Sequence, residues 1–158
     1  MTIDDVRESL AAALKGGQLG TPCSLRARLQ MAQPAADLLR SQEALATLAA
    51  PWLPAGVMTL YARRAAADQE LSVLAVHERG PTVFLTAGRG AARGSTLDVL
   101  LVGNHGIARL EGADCLDADA WAEAVEATAV QHPEWWKAWR AAIEESLRTQ
   151  QPVRCTLA

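Results

Sequence analysis

Three histidines, His77, His105 and His132, are the side chains whose ordinary pKa suits proton transfer near neutral pH. None has an orienting acid or a nucleophile at a telling spacing, and no GxSxG string is present. His105 reads first as a turn residue and His132 as the flank of the helix that starts at Pro133. His77 ends a strand-like run beside Glu78, and neighbouring side chains on a strand point to opposite faces. His77 is the candidate base. Arg26 and Arg28 alternate with apolar residues and so share one face of a strand, with Arg63 close by if its own strand pairs alongside. Guanidinium groups so arranged fork onto carboxylate or phosphate. The competing reading is a solvated or interface-forming sheet face. Trp52, bracketed by Pro51 and Pro54, supplies the kind of ring that walls a pocket. Arg26, Arg28 and Trp52 are therefore the candidate ligand-binding residues.

A second candidate is the string Gly88-Arg89-Gly90-Ala91-Ala92-Arg93-Gly94, which follows the apolar run Val83–Ala87. A glycine loop holds a pyrophosphate only when it opens a helix whose first amides face the ligand. The next residues, Thr96–Val102, are partly β-branched and stop at Gly103, which reads as a strand after a hairpin connection. A Ser95/Asp98 capping pattern is the one feature that favours a helix there. Cys23, Cys115 and Cys155 are odd in number, form no CxxC pair and have no histidine at ligand spacing, so neither a structural disulfide nor a zinc site is expected.

The elements that would position these groups follow from periodicity. Thr2 and Asp5 form a capping-box start, and Ile3, Val6, Leu10 and Leu14 recur on one helical face until Gly16-Gly17. Cys23, Leu25, Ala27 and Leu29 then alternate with Ser24, Arg26, Arg28 and Gln30 as a strand with one buried face. Residues 35–50 return to a helical pattern. Strands are expected at Val57–Arg63, Leu71–Glu78, Pro81–Ala87, Thr96–Val102 and Ile107–Glu111. Gly103-Asn104-His105-Gly106 suits a tight hairpin whose residues tolerate positive φ. Helix resumes near Ala118 with Trp121, Val125 and Thr128 on one face, breaks at His132-Pro133, and continues with Trp136, Trp139, Ile143 and Leu147 as a stripe. Pro152–Leu157 adds a short edge strand. The order predicts an α+β chain with helices packed on one sheet face. Leu74 and Val76, Phe84, and Leu100 and Val102 make the middle strands apolar on both faces, the pattern of strands buried from two sides.

The chain has 158 residues, half of them hydrophobic, which suits one domain, residues 1–158. No apolar run approaches a membrane span, and the acidic opening MTIDDVRESL lacks the form of a secretory peptide, so a cytoplasmic location is expected. The net charge of −3 lacks the clustered basic surface that nucleic-acid binding needs.

Several segments together resemble the second domain of Gfo/Idh/MocA-type oxidoreductases. Val6–Leu10 through Lys15-Gly16-Gly17-Gln18-Leu19-Gly20-Thr21-Pro22 to Arg28 is similar to the join where a helix and a "GxLG" turn enter that domain's first strand. Leu71–Val76, Pro81–Thr86 and Leu97–Gly112 resemble its strands and its hairpin around Gly103-Asn104-His105-Gly106. Ala141–Val153 resembles the closing helix and exit, with Gln150 where a glycine is usual. The resemblance implies an open, mixed, mostly antiparallel sheet whose helix-free face serves substrate binding or subunit pairing.

It also implies what to look for and not find. The family's Rossmann domain, with its cofactor loop and catalytic lysine, has no counterpart in this sequence. Its Asp/His pair would fall within residues 34–56, which hold Asp37 and Glu43 but no histidine. No catalytic residue is carried over. The expected function is an accessory, non-catalytic oxidoreductase-like domain that acts by self-association through the helix-free face or by joining a partner oxidoreductase. It would bind no cofactor alone, and NAD(P) only when a Rossmann-bearing partner completes it. The alternatives are a small-molecule-binding domain or small enzyme that uses the open sheet face, and one half of a split NAD(P)-dependent oxidoreductase.

Overall fold

Thr2 starts the first helix, α1 (Ile3–Lys15), through a reciprocal cap: its hydroxyl accepts the Asp5 amide at 3.2 Å, and the Asp5 carboxylate accepts the Thr2 amide at 2.7 Å. These bonds hold the Asp5 carboxyl below its ordinary value, first through the Thr2 backbone and then through its hydroxyl. The cap is thus intact above the ordinary carboxylate range and weakens as pH falls through the native pKa. The computed structural model describes residues 2–32, 37–53, 55–90, 95–111, 118–131 and 133–157. Cys115, His132, residues 91–94 and the side chains of Val125 and Thr128 lie outside the description.

β1 (Pro22–Met31) buries Leu25, Ala27 and Leu29 and exposes Arg26 and Arg28, as its alternation requires. α2 (Leu38–Ala49) begins three residues after the expected start, where the Asp37 carboxylate accepts the Leu39 amide at 2.9 Å. A 3-10 turn, Ala50–Trp52, ends it. The strands β2 (Gly56–Arg64), β3 (Glu70–His77), β4 (Thr82–Arg89), β5 (Thr96–Gly103) and β6 (Ile107–Leu110) follow. The chain closes with α3 (Ala118–Gln131), α4 (Pro133–Thr149) and β7 (Val153–Leu157).

The seven strands form one sheet in the order β6-β5-β1-β4-β3-β2-β7. β1 runs parallel to β4, and every other pairing is antiparallel, so the sheet is mixed and the fold α+β. Helices occupy one face: α2 packs on β1, β3 and β4, α4 packs on β2 and β7, and α1 and α3 lie against α2. Between the layers Leu25, Leu45, Leu60, Val73, Leu85 and Trp139 are fully buried. Buried Gln42 of α2 donates from Nε2 to the carbonyls of Leu71 (2.5 Å) and Leu85 (3.1 Å), fastening the helix across β3 and β4.

Both turn motifs that carry the resemblance meet in space. The Asn104 amide donates to the Thr21 carbonyl at 3.0 Å, the His105 amide to the Leu19 carbonyl at 3.1 Å, and Asn104 Oδ1 accepts the Thr21 amide at 2.8 Å. A β-carbon at Gly103 would collide with the Leu19 carbonyl oxygen, so glycine is needed for close approach. The hairpin forms as expected but for a different reason, because neither Asn104 nor His105 has positive φ. Their conformation is set by docking onto the turn before β1. Gln150, after α4, does take a left-handed conformation (φ 56°) where the family usually has glycine.

Candidate functional site

Opposite the helices, β1 to β6 present an uncovered face whose side chains line up in rows across the sheet. Register places Arg109, Leu100, Arg26, Phe84, Leu74 and Tyr61 in one row, on β6, β5, β1, β4, β3 and β2. The next row holds Asp98, Arg28, Thr86, Ser72 and Arg63. A row on the other side holds Ile107, Val102, Ser24, Thr82, Val76 and Thr59. Leu74 is 36% exposed, Val76 44% and Ile107 66%. Within the chain the middle strands are therefore apolar on both faces, and the described helices cover one of them.

Among the described residues, two depressions on this face stand out. One, of about 250 Å³, is lined by Arg26, Arg28, Asp98, Leu100, Arg109 and Glu111. Its cations are engaged within the chain: Arg26 lies 5.9 Å from the Phe84 ring centroid, Arg28 is 3.7 Å from the Glu70 carboxylate, and Arg109 pairs with Glu111. The other, of about 440 Å³, is lined by Tyr61, Arg63, Glu70, Ser72, Leu74 and Phe84. Ser72 Oγ lies 3.3 Å from Thr86 Oγ1 and donates to Glu70 Oε1 at 3.4 Å.

The structure brings together only part of the set expected from sequence. Arg26 and Arg28 share the open face. Arg63 shares it too, but β4 and β3 separate its strand from β1, at about 4.8 Å per strand. Trp52 is half-buried against the helix-side core. His77 also faces the helix side, because it pairs with buried Met58. Its Nδ1 accepts the Arg79 amide at 3.0 Å, which leaves the neutral ring's proton on Nε2, a buried atom with no partner among the described residues. His77 and Trp52 thus stand across the sheet from the two arginines. The glycine string opens no helix: Gly88 and Arg89 belong to β4, Ser95 Oγ accepts the Ala32 amide at 3.2 Å, and Asp98 lies within β5.

Sequence reasoning missed Tyr61 and Ser72, and marked Leu74 and Phe84 only as apolar positions of the middle strands. Strand parity places each on the open face, but their adjacency depends on strand order. The helix layer carries a third depression, of about 330 Å³, at Arg40, Glu43, Glu126, Trp136, Lys137 and Arg140. Its charges are paired, Arg40 with Glu126 at 2.6 Å and buried Glu43 with Arg140. Among the described residues no group of three or more His, Cys, Asp or Glu side chains could hold a metal ion, and no helix is long and apolar enough to cross a membrane.

An open mixed sheet with helices on one face, entered through a glycine turn that docks on a hairpin, is the fold of the second domain of Gfo/Idh/MocA-type oxidoreductases. No family model matches the chain, and no curated protein does. Among solved structures, apo scyllo-inositol dehydrogenase from Lactobacillus casei superposes with a TM-score of 0.71 at 13% identity, covering 96% of this chain and 61% of that one. A myo-inositol dehydrogenase from Corynebacterium glutamicum gives 0.67 at 12% identity, covering 96% and 62%. A probable dehydrogenase from Thermotoga maritima gives 0.64 at 13%, with the same coverage. At these identities the likeness is one of fold, and the chain spans about three fifths of the length of the structures it matches.

Proposed function

We propose that the chain is an accessory, non-catalytic oxidoreductase-like domain that acts by pairing its helix-free sheet face with that of a second copy. One observation carries this reading: Leu74, Val76 and Ile107 stand exposed on that face, with half-buried Phe84, Leu100 and Val102 between them. Apolar side chains gathered on one exposed face mark an interaction site, here in two groups, on β3/β4 and on β5/β6, with Ser24 and Arg26 of β1 between them. Strand spacing and length give the face a projected area on the order of 600 Å², close to the ~800 Å² per partner of a standard interface. The helix layer offers less, since Val130 is its one exposed large hydrophobic side chain among the described residues. A partner oxidoreductase is the other occupant consistent with the same surface. NAD(P) would then enter only with that partner's Rossmann domain, and no nucleic acid or membrane is involved.

Native mass spectrometry with a parallel titration of NAD(H) and NADP(H) tests the reading. The expected result is a multiple of the 16.8 kDa chain mass with no dinucleotide bound. A monomer at micromolar concentration, or tight stoichiometric dinucleotide binding by the isolated chain, would overturn it.

A further inference from the structure

We propose that the larger sheet-face depression binds a small amphipathic monocarboxylate, one whose apolar body is an aromatic ring or a branched chain. The site lies on the face proposed to pair, so ligand and second copy compete for Leu74 and Phe84, and the inference requires that face to be free. The chain contains one phenylalanine and one tyrosine, and register sets both in the same row, on either side of Leu74. Flanking strands lie about 4.8 Å to each side of β3, so the backbones that carry Phe84 and Tyr61 stand roughly 10 Å apart, and their rings wall a narrower slot at Leu74. That slot suits one apolar group. Two residues along the strands, about 7 Å away, Ser72 and Arg63 stand side by side in the next row.

The electrostatics select the sign of the polar end. Arg63 has no acidic partner among the described residues, whereas the adjacent Arg64 is bound to Asp68 at 3.5 Å. Glu70, the one acid on the wall, is already engaged by Arg28 at 3.7 Å and by the Ser72 hydroxyl. Arg63 therefore supplies an uncommitted guanidinium, whose planar fork matches a carboxylate. The volume, about 440 Å³, falls within the range of small-molecule sites. The Arg26/Arg28 depression lacks these features, since Arg28 and Arg109 each have an acidic partner and no ring bounds a slot.

The probes are 3-phenylpropionate and its uncharged amide, titrated into the intact chain and followed by isothermal calorimetry and amide chemical shifts. The expected result is saturable binding of the acid, with shifts at Tyr61, Arg63, Ser72 and Leu74, and binding of the amide about tenfold weaker or more, the loss expected for one charge-assisted bond. Arg63→Gln should weaken the acid about tenfold without changing the amide. Leu74→Trp, which fills the slot, should abolish both, and Arg148→Gln, on α4, should leave both unchanged. Equal binding of acid and amide, absence of saturable binding, or equal effects of Arg63→Gln and Arg148→Gln would each overturn the proposal. Circular dichroism of every variant separates loss of the site from loss of the fold.

Discussion

The Ser146 hydroxyl accepts the Ala62 amide at 2.9 Å and donates to the Gln151 carbonyl at 2.7 Å, so one buried oxygen joins α4, β2 and the turn into β7. β7 pairs with β2 only from Gly56 to Leu60, which leaves the Ala62 amide beyond the reach of the ladder. Ser146→Ala would strand the buried Ala62 amide and release the Gln151 carbonyl at the edge of the site. The expected loss is about 1–3 kcal/mol, read as a lower urea midpoint at unchanged m-value. A shift within error would show that the sheet end does not depend on this bond.

Gln150 carries the opposite sign. It holds a left-handed conformation after α4, with its Nε2 donating to the Leu147 carbonyl at 2.7 Å. An L-residue there costs about 1–2 kcal/mol relative to unstrained backbone, and one exposed hydrogen bond offsets part of that. Gln150→Gly should stabilise the chain by about 0.5–1 kcal/mol in the same urea assay.

The paired-face reading is most exposed to charge. Leu74→Glu combined with Val76→Glu places two carboxylates on the exposed apolar part of β3 without touching the helix-side core. Like charges would have to be desolvated between copies, so association should weaken by about a hundredfold or more. Light scattering should then report the monomer, with the thermal midpoint of the monomer itself little changed. Persistence of the oligomer would move the interface elsewhere.

The cysteines give a pH test. Cys155 sits half-buried on β7, and burial pushes its thiol above the ordinary range. Less thiolate is present at a given pH, so alkylation should become fast only at higher pH than for a free thiol. In a Cys115→Ser background, mass-resolved iodoacetamide labelling near pH 8 should modify exposed Cys23 first. Equal rates at the two sites would contradict the burial of Cys155.

Local signals were read correctly from sequence where the deciding contacts are local. The Thr2/Asp5 cap closes over three residues, and the alternation from Leu25 to Leu29 needs only strand geometry. The candidate site was less legible because its neighbours are set by strand order. Arg63 could be assigned a face from parity, but β4 and β3 intervene between its strand and that of Arg26. His77 had the same parity signal, and it falls with Met58 on the covered side only once β2 and β3 are paired. The hairpin at Asn104 was recognised from its glycines, yet its backbone answers to Leu19 and Thr21, more than eighty residues earlier.

The placement of β1 between β4 and β5 bears on how the chain is made. β2, β3 and β4 can zip as successive hairpins soon after they emerge from the ribosome, because each partner is the next strand. β1 is synthesised before them but has no strand neighbour until residues 82–103 exist. Vectorial synthesis therefore leaves β1 with α2 to pack against but no strand to pair with while the middle of the sheet assembles, and the final insertion is a long-range closure. Stalled nascent chains should gain protease resistance at β1 only after β5 has left the exit tunnel, and protection arising earlier would refute this order.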